Sequence, residues 1–201
     1  MLTLSRILSA IFTPLMIPTY AMLLALWLSV YYFLPTKTLF GVVFVAWVIT
    51  FVVPFVAILL LYRFKWISDI ALNKREERWL PCLIASLCLL CCSLYLSSAH
   101  APEWMSMFMI GGGVAALLSC IVGFRWKISV HATSLAGMVA MMFRMMHDQI
   151  AIWNMWPIVS VAIILLGAVC SARILLGKHT FAQVFAGAVN GFVCVYLITI
   201  I

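Results

Sequence analysis

Ser171-Ala-Arg-Ile-Leu-Leu-Gly-Lys-His-Thr-Phe-Ala-Gln183 is a polar stretch between two apolar runs, about 156–172 and about 181–201. A helix crosses the hydrocarbon core of a bilayer with about 17–25 apolar residues, so each run has the length of a span. The stretch between them therefore lies at a membrane edge. It carries Arg173, a fixed cation, and His179, a titratable imidazole. Ionisable groups are costly beside hydrocarbon, and where they occur they mark ligand, ion or proton sites.

The rest of the chain has the same character. Of its 201 residues 67% are apolar and 8% are charged, against about a quarter charged in a soluble domain. The composition predicts an all-α integral membrane protein, a single polytopic domain over 1–201 with about seven transmembrane helices. The expected spans are about 15–34, 39–62, 80–98, 104–123, 131–147, 156–172 and 181–201. Residues 1–14 read as an approach segment in the membrane interface. Pro14 and Pro18 interrupt the first apolar run and no small-residue cleavage site follows, which argues against a cleavable signal peptide. Pro54 predicts a kink in the second span. Gly111-Gly-Gly113 and the Gly187/Gly191 pair predict close helix crossings.

The net charge is +7. No basic tail accompanies it and the cations sit in short loops, which excludes nucleic acid as a partner and points to the lipid bilayer and an anionic substrate. The seven cysteines, Cys82, Cys88, Cys91, Cys92, Cys120, Cys170 and Cys194, lie in apolar runs without metal-site spacing. They read as buried thiols, and no cofactor or metal is implied. His131 and His147 share one span, but sixteen residues of helix hold them about 24 Å apart, too far to ligate one haem.

Three polar islands break the apolar pattern: residues 63–79, Phe124-Arg-Trp-Lys-Ile-Ser-Val-His131, and the stretch ending at Gln183. They follow the second, fourth and sixth spans, so all three emerge on one side of the membrane. In the third island, Gln183 follows His179 by four residues and shares its face if a helix opens there. Its amide oxygen can then fix the imidazole tautomer and leave the other nitrogen free for attack. In the second, Ser129 is a good helix N-cap and His131 can hold and release a proton near neutrality. In the first, Lys74 and Arg78 are four apart and face one way on a helical turn, while Glu76 and Glu77 are expected to pair with Arg75 or Lys178. Cations with two histidines suit phosphoryl transfer, which needs chiefly positioning and charge neutralisation.

These islands resemble the signature of the type-2 phosphatidic acid phosphatases, membrane relatives of the vanadium haloperoxidases. Lys74-Arg-Glu-Glu-Arg78-Trp-Leu-Pro81, Ile128-Ser-Val-His131 and Arg173-x5-His179-x3-Gln183 match its three elements in order, over roughly 68–191. The resemblance implies a metal-independent lipid phosphatase, with His179 as the nucleophile that becomes phosphohistidine and His131 as general acid. It implies Lys74, Arg78, Ser129 and Arg173 as phosphate ligands. The chain departs from the signature at Gln183, where the family has aspartate, and at Val130, where it has glycine. Lys74 stands four rather than seven before Arg78, Ala172 replaces a serine, and Pro81 is displaced.

The substrate class is a lipid phosphomonoester or diphosphate, with phosphatidate, phosphatidylglycerophosphate, polyprenyl phosphates and lipid A-type molecules all open. The alternative is a weak or inactive enzyme of the same fold that binds or carries lipid phosphates, a reading that Gln183 favours. A homo-oligomer is compatible with either. Ten cations fall on the side of the islands and two on the other, so the positive-inside rule assigns the islands to the cytoplasmic face of the inner membrane. The resemblance implies the outer face for many relatives.

Overall fold

The computed structural model describes residues 2–70, 72 and 74–200. Nine α-helices are found among them: α1 (Leu2–Ile11), α2 (Ile17–Leu28), α3 (Thr36–Trp47), α4 (Val53–Arg63), α5 (Trp79–Ser98), α6 (Glu103–Gly123), α7 (Val130–His147), α8 (Trp156–Leu175) and α9 (Phe181–Ile200). No strand occurs among the described residues, only one isolated bridge between Ser29 and Ala151. Five helical segments are long and apolar enough to cross a membrane: 36–63, 75–98, 103–123, 156–175 and 181–200. Their outer faces expose large apolar side chains such as Phe44, Leu94, Ile164 and Leu197. Such surface suits lipid rather than water.

α3 and α4 are one continuous rod, joined by a π turn over Val48–Val52. Pro54 is the cause, because it offers no N–H to the preceding turn and the ladder shifts from i−4 to i−5. Val53 accordingly donates to the Val48 carbonyl. The disturbance expected at Pro54 is thus a widened turn just before it. α2 is shorter than the expected first span, since a 3-10 turn over Val30–Phe33 replaces its last part.

α7 lies innermost. Most of its residues are buried, including Leu135, Met138, Met141, Met142 and Met145, and it packs on α9, α8, α2 and α6. It is surrounded by other helices and, although a span is expected over 131–147, it is not among the five segments long and apolar enough to cross a membrane. Its tightest contact is with α9. A Cβ added at Gly191 would overlap the Thr133 carbonyl, and one at Gly187 would stand 2.5 Å from the Ser129 carbonyl oxygen. The glycines let the two backbones touch, as the Gly187/Gly191 spacing predicts. α6 approaches α9 the same way at Gly111, whose added Cβ would meet Val195 Cα at 2.8 Å. Asn190 secures that crossing by donating to the Ala115 carbonyl (2.9 Å) and the Ser119 hydroxyl (3.0 Å). Against the expectation of burial for all seven cysteines, only Cys88, Cys92 and Cys120 are buried; Cys82, Cys170 and Cys194 are half-buried and Cys91 is exposed.

Candidate functional site

α8 ends in a turn that sets the third island. Gly177 has a φ of +63°, a value that suits glycine because no Cβ is present to clash. Its N–H reaches the Ile174 carbonyl, and that of Lys178 reaches the Arg173 carbonyl. This is the hydrogen-bond pattern of a Schellman C-cap. The reversal returns the chain so that Arg173, on the last turn of α8, and His179, before α9, line the same cavity.

α9 then opens on one half of a capping box, Thr180-Phe-Ala-Gln183. The Gln183 side-chain oxygen accepts from the Thr180 backbone N–H at 3.2 Å. His179 Nδ1 lies 3.2 Å from the same oxygen. A backbone N–H can only donate, so that Gln183 atom is the carbonyl oxygen, and the bond from His179 puts a proton on Nδ1. Nε2 keeps its lone pair. Burial, with Arg173, Arg78 and Lys127 nearby, pushes the imidazole down to about 3, the bond to Gln183 opposing. The ring is neutral at physiological pH, with Nε2 unprotonated.

The second island starts α7. Ser129 is fully buried, and its hydroxyl accepts from the Ala132 N–H as the N-cap. Its own N–H donates to the Gln183 carbonyl at 3.2 Å, tying the starts of α7 and α9 together. His131, two residues on, lines the cavity. Its Nε2 lies 3.2 Å from the Ser9 carbonyl of α1, an acceptor that requires Nε2 to carry the proton.

The first island delivers Arg78 at the start of α5, where its Nε donates to the Leu72 carbonyl at 2.7 Å. Lys74 sits in extended backbone before a 3-10 turn over Arg75–Glu77, so it does not share a helical face with Arg78. Its ammonium is well exposed and stands 3.5 Å from Glu77. Glu77, expected to pair with Arg75 or Lys178, instead pairs with Lys74 and accepts from the Ser68 N–H and hydroxyl. Arg75 donates to the Arg125 carbonyl.

Arg78, His131, Arg173 and His179, from all three islands, therefore line one cavity of about 740 Å3. Lys74 and Ser129 do not line it. Arg6 and Ser9 of α1 do, although the sequence reading assigns them no place in the site, and so does Lys178, expected only as a partner for Glu76 or Glu77. Lys127 lines an adjoining pocket with Arg78, and burial together with Arg78, Lys178 and Arg173 lowers its pKa. Its place inside the second island, and that of Lys178 beside His179, were the signals available for them. Among the described residues no Asp or Glu lines the cavity. Arg173 Nε is buried and meets no hydrogen-bond partner among the described residues. Such a donor is costly to leave unmatched, and an anion is the partner it fits. Away from this cationic end the lining is mainly apolar, through Ile58, Leu89, Phe108, Gly112, Gly137 and Val195 of α4, α5, α6, α7 and α9, with Thr50, Thr133 and Ser134 among them.

Arg144, His147 and Asp148 form a separate group at the far end of α7. Arg144 pairs with Asp148 at 2.9 Å and His147 lies 3.1 Å from it, the paired helix end that their spacing suggests.

No family model matches the chain, and no curated protein or solved structure matches it either.

Proposed function

We propose that this chain is a membrane hydrolase that removes the phosphoryl group from a lipid phosphate through a phosphohistidine on His179, in the manner of the type-2 phosphatidic acid phosphatases. One observation carries the reading: two histidines and two arginines from three sequence-distant islands line a single cavity whose other end is apolar and lies among membrane-length helices. A phosphate fits the charged end and a lipid tail fits the apolar end. Seven crossings follow if α2 and α7 span with the five longer segments. α7 has 18 residues, about 27 Å of helix. α2 has 12, about 18 Å, and needs the 3-10 turn after it. The islands share a face whatever α2 does, because the helices between them come in pairs.

In the proposed reaction a phosphomonoester monoanion binds between Arg78 and Arg173 and passes its proton to His131. Neutral His179 attacks phosphorus through Nε2, and the bond from phosphorus to the lipid oxygen breaks. His131 returns the proton to the leaving alkoxide. Water then attacks the phosphohistidine while His131 takes a proton from it. The P–N bond breaks, dihydrogen phosphate leaves with that proton, and the imidazole is restored. The arginines neutralise oxygen charge that spreads in the transition state. The resemblance implies that no metal takes part.

The test is phosphate release by the purified chain in detergent with chelator, across a panel of lipid phosphates, beside His179→Ala. Release lost in the variant supports the reading, and release that persists refutes the assignment of His179. A second reading, a lipid-phosphate binder that does no chemistry, is favoured by the uncharged Gln183. It gains if the folded protein binds these lipids and hydrolyses none. The islands are assigned to the cytoplasmic face of a plasma or inner membrane by their excess of cations.

A further inference from the structure

α1 is amphipathic in an inverted sense. Leu4, Ile7 and Ile11 share one face and are at least half exposed, while Ser5 is buried and Arg6 and Ser9, on the other face, line the cavity. A helix on a soluble protein turns its apolar side inward. Here the apolar side is left for the membrane interface, and the polar side is turned toward the cationic end of the cavity. α1 packs along α8, the helix that carries Arg173, and the Ser9 carbonyl is the acceptor for His131 Nε2. Ser9 Oγ is itself buried and without a hydrogen-bond partner among the described residues, as is Arg173 Nε. The residues that carry these two unpartnered donors line one cavity, together with a further arginine, Arg6.

We infer that α1 is a fourth phosphate-holding element: the Arg6 guanidinium and the Ser9 hydroxyl bind phosphoryl oxygens together with Arg78 and Arg173. This rests on the reading of the cavity as a phosphate site and adds two ligands that lie far outside the three islands. Arginine offers a planar fork for two oxygens and serine a single donor, so Arg6 is the stronger contact. α1 also closes the charged end of the cavity against the interface and keeps His131 in place through the Ser9 carbonyl.

The experiment measures binding of inorganic phosphate, and separately of a short-chain phosphatidate, to the full chain in detergent. Arg6→Gln, Arg6→Lys, Ser9→Ala and Arg173→Gln are compared with the parent after each is shown to be monodisperse. Arg6→Gln is expected to weaken both ligands by about tenfold or more and Ser9→Ala by about fivefold, as for one charge-assisted and one neutral hydrogen bond. Arg6→Lys should recover part of the loss. If Arg173→Gln weakens binding while Arg6→Gln and Ser9→Ala do not, α1 is no part of the site and the phosphate site itself stands. Loss confined to the lipid ligand would also overturn the inference, since α1 would then contact the tail or backbone. If Arg173→Gln has no effect either, the phosphate site falls and this inference with it.

Discussion

Gln183 and His179 share one hydrogen bond, Nδ1 to Oε1 at 3.2 Å, and the same oxygen caps α9 through Thr180. One side chain thus fixes both the helix start and the imidazole tautomer. Gln183→Leu removes both. It should reduce phosphate release by at least tenfold, with about 10⁴ as a ceiling, the loss seen when a catalytic histidine loses its tautomer-fixing partner in a protease dyad. Gln183→Glu keeps the capping reach and adds a charge. It should raise the His179 pKa, read by NMR of ring-labelled histidine. An unchanged titration would mean that the bond does not form in solution.

The depressed His179 pKa has a definite sign. Burial and nearby cations disfavour the imidazolium, so the ring stays neutral from pH 7 to pH 5 and gains its proton only near 3. An unfolded chain takes up that proton near 6.5, so this residue draws stability down as pH falls from about 6.5 toward 3. The ring-carbon NMR signal of His179 should not move between pH 7 and pH 5, and Arg173→Gln should shift its midpoint upward. A midpoint near 6.5 in the parent would contradict the buried, cation-flanked placement.

Gly191 sits against the Thr133 carbonyl, where no Cβ fits. Gly191→Ala must push α7 and α9 apart and should cost about 1–3 kcal/mol. Thermal unfolding in detergent would show it as a lowered midpoint. Gly41, whose added Cβ would meet nothing within 4 Å, is the control, and an equal loss there would remove the crossing as the cause.

Gly112 lines the apolar part of the cavity, where an added Cβ meets only Leu89 methyls, the nearest at 3.6 Å. A side chain placed there grows into the space assigned to the lipid tail. Gly112→Leu should spare short-chain phosphatidate and depress turnover of long-chain substrate by tenfold or more. Equal effects on both would place the tail elsewhere.

Trp126 is exposed in the second island. With the islands in the cytoplasm, Trp126→Cys should resist an impermeant thiol reagent in intact cells and react after permeabilisation. Labelling in intact cells would reverse the face, leaving the chemistry untouched.

Much of this arrangement is legible in the sequence. Counting spans predicts one face for the islands, and residues of all three line one cavity. The spacing of four also pairs Gln183 with His179, though by reaching back from the first turn of α9 and not by a shared helical face. Gly187 and Gly191 announce the crossing they make. What the sequence hides depends on neighbours. Lys74 looks like a partner of Arg78 only if the loop is helical, but extended backbone turns it to Glu77. Ser129 is drawn inward to cap α7. The contribution of α1 escapes notice because its apolar and polar faces acquire meaning only once one side is known to lie against the cavity. α7 has modest hydropathy because helices, not lipid, surround it.

The cationic end of the cavity has a thermodynamic consequence. Arg6, Arg78 and Arg173 line it, and among the described residues no carboxylate does, so folding must bring like charges together. An anion that binds there and not to the unfolded chain is then a linked ligand of folding. Saturation at 100 times its dissociation constant would add about 2.7 kcal/mol to the folded state. On the proposed function, the stability of the fold would follow the supply of that anion, and resistance to unfolding would gauge site occupancy even where no turnover can be seen.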